Sequence, residues 1–518
     1  MRPLSIQKLI VIRIFFIIIA HVIIINAFGQ NDEDKEPADY IEQPERLELT
    51  IDPDDEDYFI VSAEQDGLFI FKETNDRGKK GFFWEFTQVD TLLKEQWKKR
   101  YLIPYGIDFL GWDYSLGQVH LLFNKPGGRD YRDYTLYNFD VASGDTTQHT
   151  VSMEFNVRLS EFEVVGNAVI MGGYYNYRPV IVHYDIKERR ARVLPGYYNK
   201  KAELLDIETD DKKRQFNVLL SELSLTKKNT IGLKTFNEEG EMLQNQVLEP
   251  DDDHSLIFGQ STKLDNGIQY ISGTYADRKS SFSKGVYTAK IDDGQQQYLK
   301  FYSYPDLENF FSYMSARRQE KVKERIKRRR VKGKKVRLNY RLLVHDVIRL
   351  EDEYIMIGEA YYPKYAPSYY GPMHSEYSYN QFADGIEGYR YTHAVIIAFD
   401  ASGNVNWDNS FEINDVLATS LQQYVHVAAQ GNEIVLLYMF EDEIRSKLIK
   451  GSEVLEGKTF NPIELKFDDD VIADEYKNVG GLEKWYGNSF YAYGIQRIKK
   501  EGSRRNRKIF YINKIVYR

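Results

Sequence analysis

The stretch FEVVGNAVIMGGYYNYRPVIVHYDIKERRARVLP, residues 162–195, contains short β-rich runs in close succession, with a turn signal after each. The runs are rich in valine, isoleucine and aromatic residues, which favour strands. They cover residues 164–165, 168–171, 180–183 and, after a charged turn at 187–190, residues 191–194. We expect Gly166-Asn167 and Gly172-Gly173 to supply the turn or positive-φ positions between the runs. The stretch therefore predicts consecutive strands joined by tight turns.

The same element, a turn followed by an apolar strand, occurs eight times along the chain. Its marker residues are Gly67, Gly117, Asn167, Arg214, Gly267, Glu353, Asn432 and Asn488. The intervals between them are 50, 50, 47, 53, 86, 79 and 56 residues, and each of the two longest contains an insertion. Most copies carry further strands, so that each copy has about four, and this pattern is typical of a β-propeller blade.

We interpret the chain as an all-β protein, a β-propeller of four-stranded blades. Eight blades are favoured, and seven are the alternative because the first copy is the least regular. A parallel α/β fold would need helical stretches between the strands, and the sequence has almost none. The ring has a candidate closure: an orphan strand at residues 47–51 can pair with the last strand, 509–516, and complete the final blade.

Residues 399–407, FDASGNVNW, place an aspartate and a glycine in a hairpin turn that an aromatic residue follows. This segment resembles the outer-strand turn of secreted bacterial quinoprotein-like propellers. The resemblance covers nine residues and implies blade architecture alone, without quinone-binding residues and without a specific family. The signature dipeptides of WD repeats and the paired glycines of kelch repeats do not recur.

The N-terminus has the pattern of a secretory signal peptide over residues 1–29. Three positive charges precede an apolar run at 14–28, and the small residues Ala27 and Gly29 lie before a possible cleavage site at Gln30. The alternative is an uncleaved anchor helix over residues 9–28. With cleavage, we expect an exported protein, periplasmic or extracellular, without a transmembrane span.

Composition sets further limits. The chain has 518 residues, 14% of them aromatic, and no cysteine, so packing rather than disulfides must stabilise it. Removal of the three positive charges of the leader takes the formal net charge from −9 to −12. This acidic balance argues against nucleic acid as a partner. We expect residues 30–46 to be an acidic flexible linker and residues 47–518 to form a single propeller domain.

The first insertion, residues 307–337, is the one strongly helical pattern and the most basic segment. Glu324 precedes Arg328 by one helical turn, Gly333 can end the helix, and four apolar residues fall near one face: Phe311, Met314, Val322 and Ile326. Thirteen basic residues oppose two glutamates, which predicts a polyanion arm for lipid headgroups, acidic polysaccharide or an acidic protein. The alternative is a solvated helix that docks by its apolar stripe or pairs with acidic turns of the chain. The basic residues are Arg317, Arg318, Lys321, Lys323, Arg325, Lys327, Arg328, Arg329, Arg330, Lys332, Lys334, Lys335 and Arg337.

The second insertion, residues 361–391, is rich in tyrosine, proline and glycine. Tyrosines present flat apolar faces with a polar tip, which suits sugar rings or a protein surface. The alternative is a structural cap over one end of the propeller channel. The candidate binding residues are Tyr365, Tyr369, Tyr370, His374, Tyr377 and Tyr379.

The sequence contains no hydrolase, zinc-protease, nucleotide-binding or EF-hand motif, so we assign no catalytic residue, metal site or cofactor. His374 and His393 flank the tyrosine loop with carboxylates between them, and a metal or acid/base site there is an open hypothesis. The aspartate runs at 251–253 and 468–470 are interpreted as solvated turns.

Two functions remain. The first is an exported, non-catalytic binding or scaffold propeller for an anionic surface, a glycan or a protein partner. The second is a propeller enzyme that acts on a polysaccharide at one end of the channel. A glycosidase would require two carboxylates facing each other about 5 to 9.5 Å apart.

Overall fold

The computed structural model describes residues 40–51, 58–125, 132–196, 202–224, 227–251, 254–277, 280–334, 336, 338–365, 386–414, 416–503 and 505–518. These residues form eight antiparallel sheets, and six of the eight consist of four strands that are consecutive in the chain. The all-β prediction is confirmed.

Strand β1, Ile41–Thr50, comes first in the chain and belongs to the last sheet. Blade 1 consists of β2 Phe59–Ser62, β3 Leu68–Arg77, β4 Gly81–Val89 and β5 Glu95–Pro104. Blade 2 consists of β6 Asp108–Ser115, β7 Gln118–Asn124, β8 Asp133–Asp140 and β9 Thr146–Ser152. Blade 3 consists of β10 Arg158–Val165, β11 Ala168–Tyr175, β12 Arg178–Asp185 and β13 Arg190–Val193, and blade 4 consists of β14 Glu203–Asp210, β15 Gln215–Leu223, β16 Asn229–Asn237 and β17 Met242–Leu248.

Blade 5 consists of β18 Ser255–Ser261, β19 Ile268–Ala276, β20 Gly285–Asp292 and β21 Gln295–Ser303. Blade 6 has six strands: β22 Arg341–Val344, β23 Ile348–Leu350, β24 Glu353–Tyr365, β25 Ile386–Phe399, β26 Val405–Glu412 and β27 Leu417–Ala418. Blades 7 and 8 consist of β28 His426–Gln430, β29 Glu433–Phe440, β30 Glu443–Lys450 and β31 Glu453–Pro462, then β32 Asp470–Lys484, β33 Ser489–Lys500 and β34 Arg507–Tyr517, with β1 as the fourth strand.

The first turn of every blade contains a backbone position with positive φ. These positions lie at the sequence markers or within two residues of them: Gly67, Gly117, Gly166, Arg214, Gly267, Glu351, Gly431 and Gly487. The eight copies read from the sequence are therefore eight blades.

The prediction of a turn at Gly172-Gly173 is wrong. Both glycines lie inside β11, and the turn that follows is formed by Asn176 and Tyr177, with φ of 49° and 62°. Close packing explains the glycines, because a Cβ on Gly173 would lie 2.3 Å from the carbonyl oxygen of Arg158 in the paired strand. They mark a tight contact inside the sheet and not a chain reversal.

Eight hydrophobic clusters hold the blades together, and each joins two consecutive blades. In the cluster that closes the ring, Leu68 and Ile70 of blade 1 pack with Tyr491 and Ile512 of blade 8. A sheet buries its apolar faces only against its neighbours, so closure of this cycle stabilises the whole ring. The cycle fixes eight blades and not seven.

The predicted closure strand is confirmed. Leu47 of β1 pairs with Ile512 of β34, and Leu49 pairs with Phe510. However, β1 begins at Ile41, so residues 41–46 belong to blade 8 and not to a flexible linker. Hydrogen bonds of a polar side chain help to hold the first half of the strand in the blade: Arg46 donates to Asn513 Oδ1 (2.9 Å) and to Gln496 Oε1 (2.8 Å).

Among the described residues, no helix combines the length and the apolar character needed to cross a bilayer. The predicted signal peptide lies outside those residues, and it stays a prediction together with export.

Candidate functional site

The first insertion is anchored to the outside of the ring between blades 5 and 6. Its helix, α1 Ala316–Val331, packs Ile326 and Val322 into the cluster that joins these blades, beside the buried Phe310 and Phe311. The helix starts at Ala316, so Phe311 and Met314 precede it, and only Val322 and Ile326 of the predicted face are helical. The docked apolar stripe of the sequence analysis is therefore present.

A carboxylate on blade 6 fixes the segment before α1. Asp408 accepts hydrogen bonds from the backbone N–H groups of Glu308 (2.9 Å) and Asn309 (2.7 Å), and the Tyr313 N–H donates to Ser410 Oγ (2.9 Å). These bonds replace helical ones and hold the segment along β26. They explain why the helix begins later than the sequence pattern indicates.

The end of α1 follows the prediction. Gly333 adopts φ +59°, and the Lys334 N–H donates to the Arg329 carbonyl at 3.0 Å. A glycine in the left-handed region lets the chain turn back over the last carbonyls without a Cβ clash.

Five basic residues of α1 and its end form one row, which we call the cationic stripe: Arg317, Lys321, Arg325, Arg328 and Lys332. Their spacing of four, four, three and four residues places them on one helical face, about 22 Å long at 1.5 Å per residue. All five are exposed, and Glu324 lies at the edge of the row, where it pairs with Arg328. The stripe lies about 140° around the helix from the buried Ile326, at 100° per residue.

Two ion pairs involve the basic residues of α1. Arg328 pairs with Glu324 at 2.6 Å, as predicted, and Arg330 pairs with Asp306 in the segment before the helix. Within the described part of the chain, Arg317, Arg318, Lys321, Lys323, Arg325, Lys327, Lys332 and Lys334 make no ion pair. Lys335 and Arg337 lie outside the described residues. Among the described residues, these two pairs involve Arg328 and Arg330 of the basic segment.

The structure describes the two strands that carry the tyrosine loop. Tyr365 ends β24, and Tyr369, Tyr370, His374, Tyr377 and Tyr379 lie outside the described residues. The strands β24 and β25 that carry the loop are long, and Tyr391 is buried at their base with its hydroxyl donating to the Gln422 carbonyl (2.7 Å). The binding role of the loop stays a prediction.

His393 is part of the core. It is fully buried, stacks on Tyr313 at 3.7 Å between ring centroids, and burial lowers its pKa to about 3. The aromatic rings of Phe310, Tyr313 and Tyr340 surround this imidazole, while His374 lies outside the described residues. Across the residues that the structure describes, no group of three His, Asp or Glu side chains has the arrangement of a metal site.

The sequence analysis missed a cavity of about 1260 Å³ inside the ring. The first strands of neighbouring blades contact one another, so they form the inner wall, and those of blades 3 to 6 line this cavity. Glu163 of β10, Asp206 of β14 and Asp346, which follows β22, all contribute to its lining. We call this space the channel cavity.

Burial and the charges of neighbouring carboxylates raise the pKa values of Glu163 and Asp206. Burial, followed by the charges of Asp113 and Asp206, raises the pKa of Glu163 well above its ordinary value. Burial and the Asp206 charge raise the pKa of Glu161 to about 7, and the same causes raise that of Glu208 to about 8. No ion pair to these carboxylates occurs among the described side chains, so like charges face one another here.

The carboxylates fall into two groups. Asp113 accepts a hydrogen bond from the Val164 N–H (2.6 Å), and Glu208 accepts one from the Ser261 N–H (2.8 Å), so each ties its strand to the next blade. Glu163 makes no such contact. The first group has a structural role, and Glu163 is available to a ligand.

A sequence signal for this cluster exists. Asp113 and Glu163 each precede their marker residue, Gly117 and Asn167, by four positions in an otherwise strand-like run. When an acidic residue recurs at the same position of successive blades, and the blades form a closed ring, the acidic side chains are expected to converge at the channel.

Comparison with known proteins gives no family. No protein-family model matches the chain, and no curated protein matches it either. Among solved structures, the β-propeller domain of the Trilobed protease from Pyrococcus furiosus is similar, with 8% identity over 79% of this chain and 93% of that chain (TM-score 0.36). A prolyl endopeptidase shares 11% identity over 87% of this chain and 54% of that one (TM-score 0.39). The polysaccharide lyase Uly1 shares 9% over 90% and 100% (TM-score 0.37). The activities in these names belong to those proteins, and the fold of this chain rests on its own strand pairing.

Proposed function

We propose that this protein is a non-catalytic binding propeller and that its cationic stripe binds an acidic polysaccharide. The observation that carries the proposal is the exposed row of Arg317, Lys321, Arg325, Arg328 and Lys332 on a helix anchored to the ring. Because the helix is already fixed by its apolar side, its backbone loses little conformational freedom when a ligand binds.

The shape and the charge of the molecule favour a linear polyanion over a membrane. A linear chain can follow a stripe about 22 Å long and contact little else. A flat anionic bilayer would also face the rest of a protein whose formal net charge is −9, and like charges would repel it. An acidic polysaccharide therefore fits the stripe better than a lipid surface.

The test is binding to heparin across a salt series, with a variant that keeps the fold. Arg317→Gln, Lys321→Gln, Arg325→Gln and Lys332→Gln together remove four charges and retain good helix formers. Arg328 stays, because it pairs with Glu324. Each exposed ion pair contributes roughly 0.2–1 kcal/mol, so removal of four should lower the affinity on the order of fourfold to several hundredfold and make it depend less on salt.

A matched control removes the same charge elsewhere: Lys79→Gln, Lys80→Gln, Lys187→Gln and Lys450→Gln, all exposed. We expect the control to bind heparin like the parent protein. Equal losses in both variants would overturn the role of the stripe. Deletion of the whole insertion is a poor test, because Phe310 and Phe311 belong to the core.

Phosphatidylserine vesicles provide a second arm. Binding to vesicles with no affinity for heparin would reject the polysaccharide in favour of a membrane. Release of new reducing ends or unsaturated sugars from the polysaccharide would contradict the non-catalytic part of the proposal and support the enzyme alternative.

A further inference from the structure

The channel cavity is lined by acidic side chains, whereas the cationic stripe consists of basic ones. Glu163, Asp206 and Asp346 come from three blades and line one space. The charges of Asp206 and Asp346 help to raise the pKa of Glu163, and the charge of Asp346 helps to raise that of Asp206. Like charges that share a confined space disfavour ionisation unless a cation joins them. The parent chain supplies no such cation to these three carboxylates within its described residues.

Cations do occur at the cavity, but they already have partners. Lys213 lies 2.7 Å from Asp265, Arg349 lies 3.8 Å from the same carboxylate, and Lys263 lies 3.7 Å from Asp210. All three belong to turns or to the strand edges beside them, and not to the inner wall that holds Glu163 and Asp206. They therefore leave the inner carboxylates without compensation.

A second observation is independent of the acidic side chains. Gln260 is 6% exposed, and its Nε2 donates to Asp206 Oδ2 at 2.5 Å. Its Oε1 is buried without a hydrogen-bond partner in the described structure. A buried acceptor without a donor costs free energy, so a group that carries N–H or O–H donors would stabilise this corner of the fold.

Aromatic rings complete the lining. Tyr270 and Tyr354 stack at 3.7 Å between ring centroids, and both belong to the wall of the cavity. Aromatic faces attract ammonium groups, and they also pack against the methylene segments between them. A space of about 1260 Å³ is far larger than a bare metal ion needs.

We propose that the channel cavity binds an organic polycation, a flexible chain of protonated amines, with its ammonium groups against Glu163, Asp206 and Asp346. Such a ligand supplies positive charge to the three carboxylates, of which Asp206 is held in place by the Gln260 amide. Its methylene segments lie against the tyrosine pair. This site is separate from the cationic stripe, and neither proposal depends on the other.

Titration calorimetry with spermidine tests the proposal on the full chain. Glu163→Gln with Asp346→Asn removes two carboxylates that hold no backbone group in the described structure. We expect spermidine to bind the parent protein and to bind the double variant at least roughly tenfold more weakly, since each lost charge-assisted hydrogen bond weakens binding by about that factor. Glu163→Gln alone should give an intermediate loss and guards against a folding defect of the double variant.

The matched control is Glu188→Gln with Glu239→Gln, two exposed glutamates in turns of blades 3 and 4. It loses the same charge and should bind spermidine like the parent protein. Equal weakening in control and double variant would overturn the site and leave only general attraction to an acidic protein. Trilysine serves as a second probe: stronger binding than spermidine identifies a basic peptide segment as the source of the amines. Absence of binding by both probes, or binding of a neutral oligosaccharide that requires Glu163, would reject the proposal.

Discussion

Gly173 illustrates how single residues set the spacing inside a blade. The backbone of β11 approaches the Arg158 carbonyl so closely that any Cβ at this position would overlap it. The sequence shows the Gly-Gly pair but not the approach, because the same pair is typical of turns. A residue pattern in one strand cannot report the distance to the next.

Gly173→Ala should therefore destabilise the protein. The added methyl group must displace the β10 backbone, and overpacking of this kind lowers the free energy of unfolding by about 1–3 kcal/mol. Urea denaturation measures it. Gly111→Ala is the matched control, since a Cβ at Gly111 in β6 would meet nothing within 4 Å. Equal stability of the two variants would contradict the packing argument.

At the scale of elements, strand β1 completes blade 8 and supplies buried polar side chains to it. It supplies the fourth strand of blade 8, and its Arg46 and Glu48 side chains are 5% and 6% exposed. Arg507 of β34 pairs with Glu48 at 2.9 Å and with Asp470 at 2.6 Å. Without β1, the edge of β34 and several buried polar groups would lose their partners.

A chain that begins at Ile51 should consequently lose stability and self-associate, whereas a chain that begins at Tyr40 should match the full chain. Thermal melting and light scattering at several concentrations distinguish them. If the shorter chain melted like the longer one, β1 would be dispensable and the ring would close through blade contacts alone.

Sequence reasoning succeeded best for elements with strong local signals. The strand runs of residues 162–195, the turn at Asp400 and Gly403, and the pairing of β1 with β34 all followed from alternation and turn residues. The start of α1 was wrong because Asp408, a distant residue, captures the N–H groups of the preceding segment. Local propensity contains no information on such long-range hydrogen bonds.

At the scale of the whole molecule, the acidic cavity exists only because the ring closes. Asp113, Glu163, Asp206 and Asp346 are far apart in sequence and meet through four blades. The sequence could predict the propeller from its repeat, but which side chains share a space depends on the position of every blade. The candidate stripe, by contrast, was readable because one helix carries it.

The cavity predicts the pH dependence of stability. Carboxyls whose folded pKa is raised, such as Glu161 at about 7 and Glu208 at about 8, stabilise the fold fully only below their unfolded pKa near 4. That contribution is lost progressively as the pH rises from the unfolded to the folded values. Buried histidines with a lowered pKa, such as His393, act in the opposite sense up to their ordinary value of about 6.5, so the melting temperature should fall between about pH 6.5 and 8. The window ends there because burial lowers the pKa of Lys447 to about 8, and its titration acts in the opposite sense.

Glu161→Gln with Glu163→Gln provides the comparison. The double variant lacks two of the groups that lose protons, so its melting temperature should fall less over the same window. Below about pH 4 the two proteins should melt alike, because the parent carboxyls are then largely protonated in both the folded and the unfolded state. An identical decline in both proteins would contradict a role of these carboxyls, and measurement by circular dichroism at fixed ionic strength decides it.

The pairing of β1 with β34 also has a consequence in time. The ribosome makes β1 first and its partner last, with more than four hundred and fifty residues between Thr50 and Tyr517. At roughly 5–20 residues per second, the strand waits about half a minute or longer for its partner. Throughout this interval the nascent chain exposes an unpaired edge, and the blades already made cannot form a cycle. Protein synthesis therefore ends with the closing step of folding, and cells that make this chain need a way to shield β1 until its partner emerges.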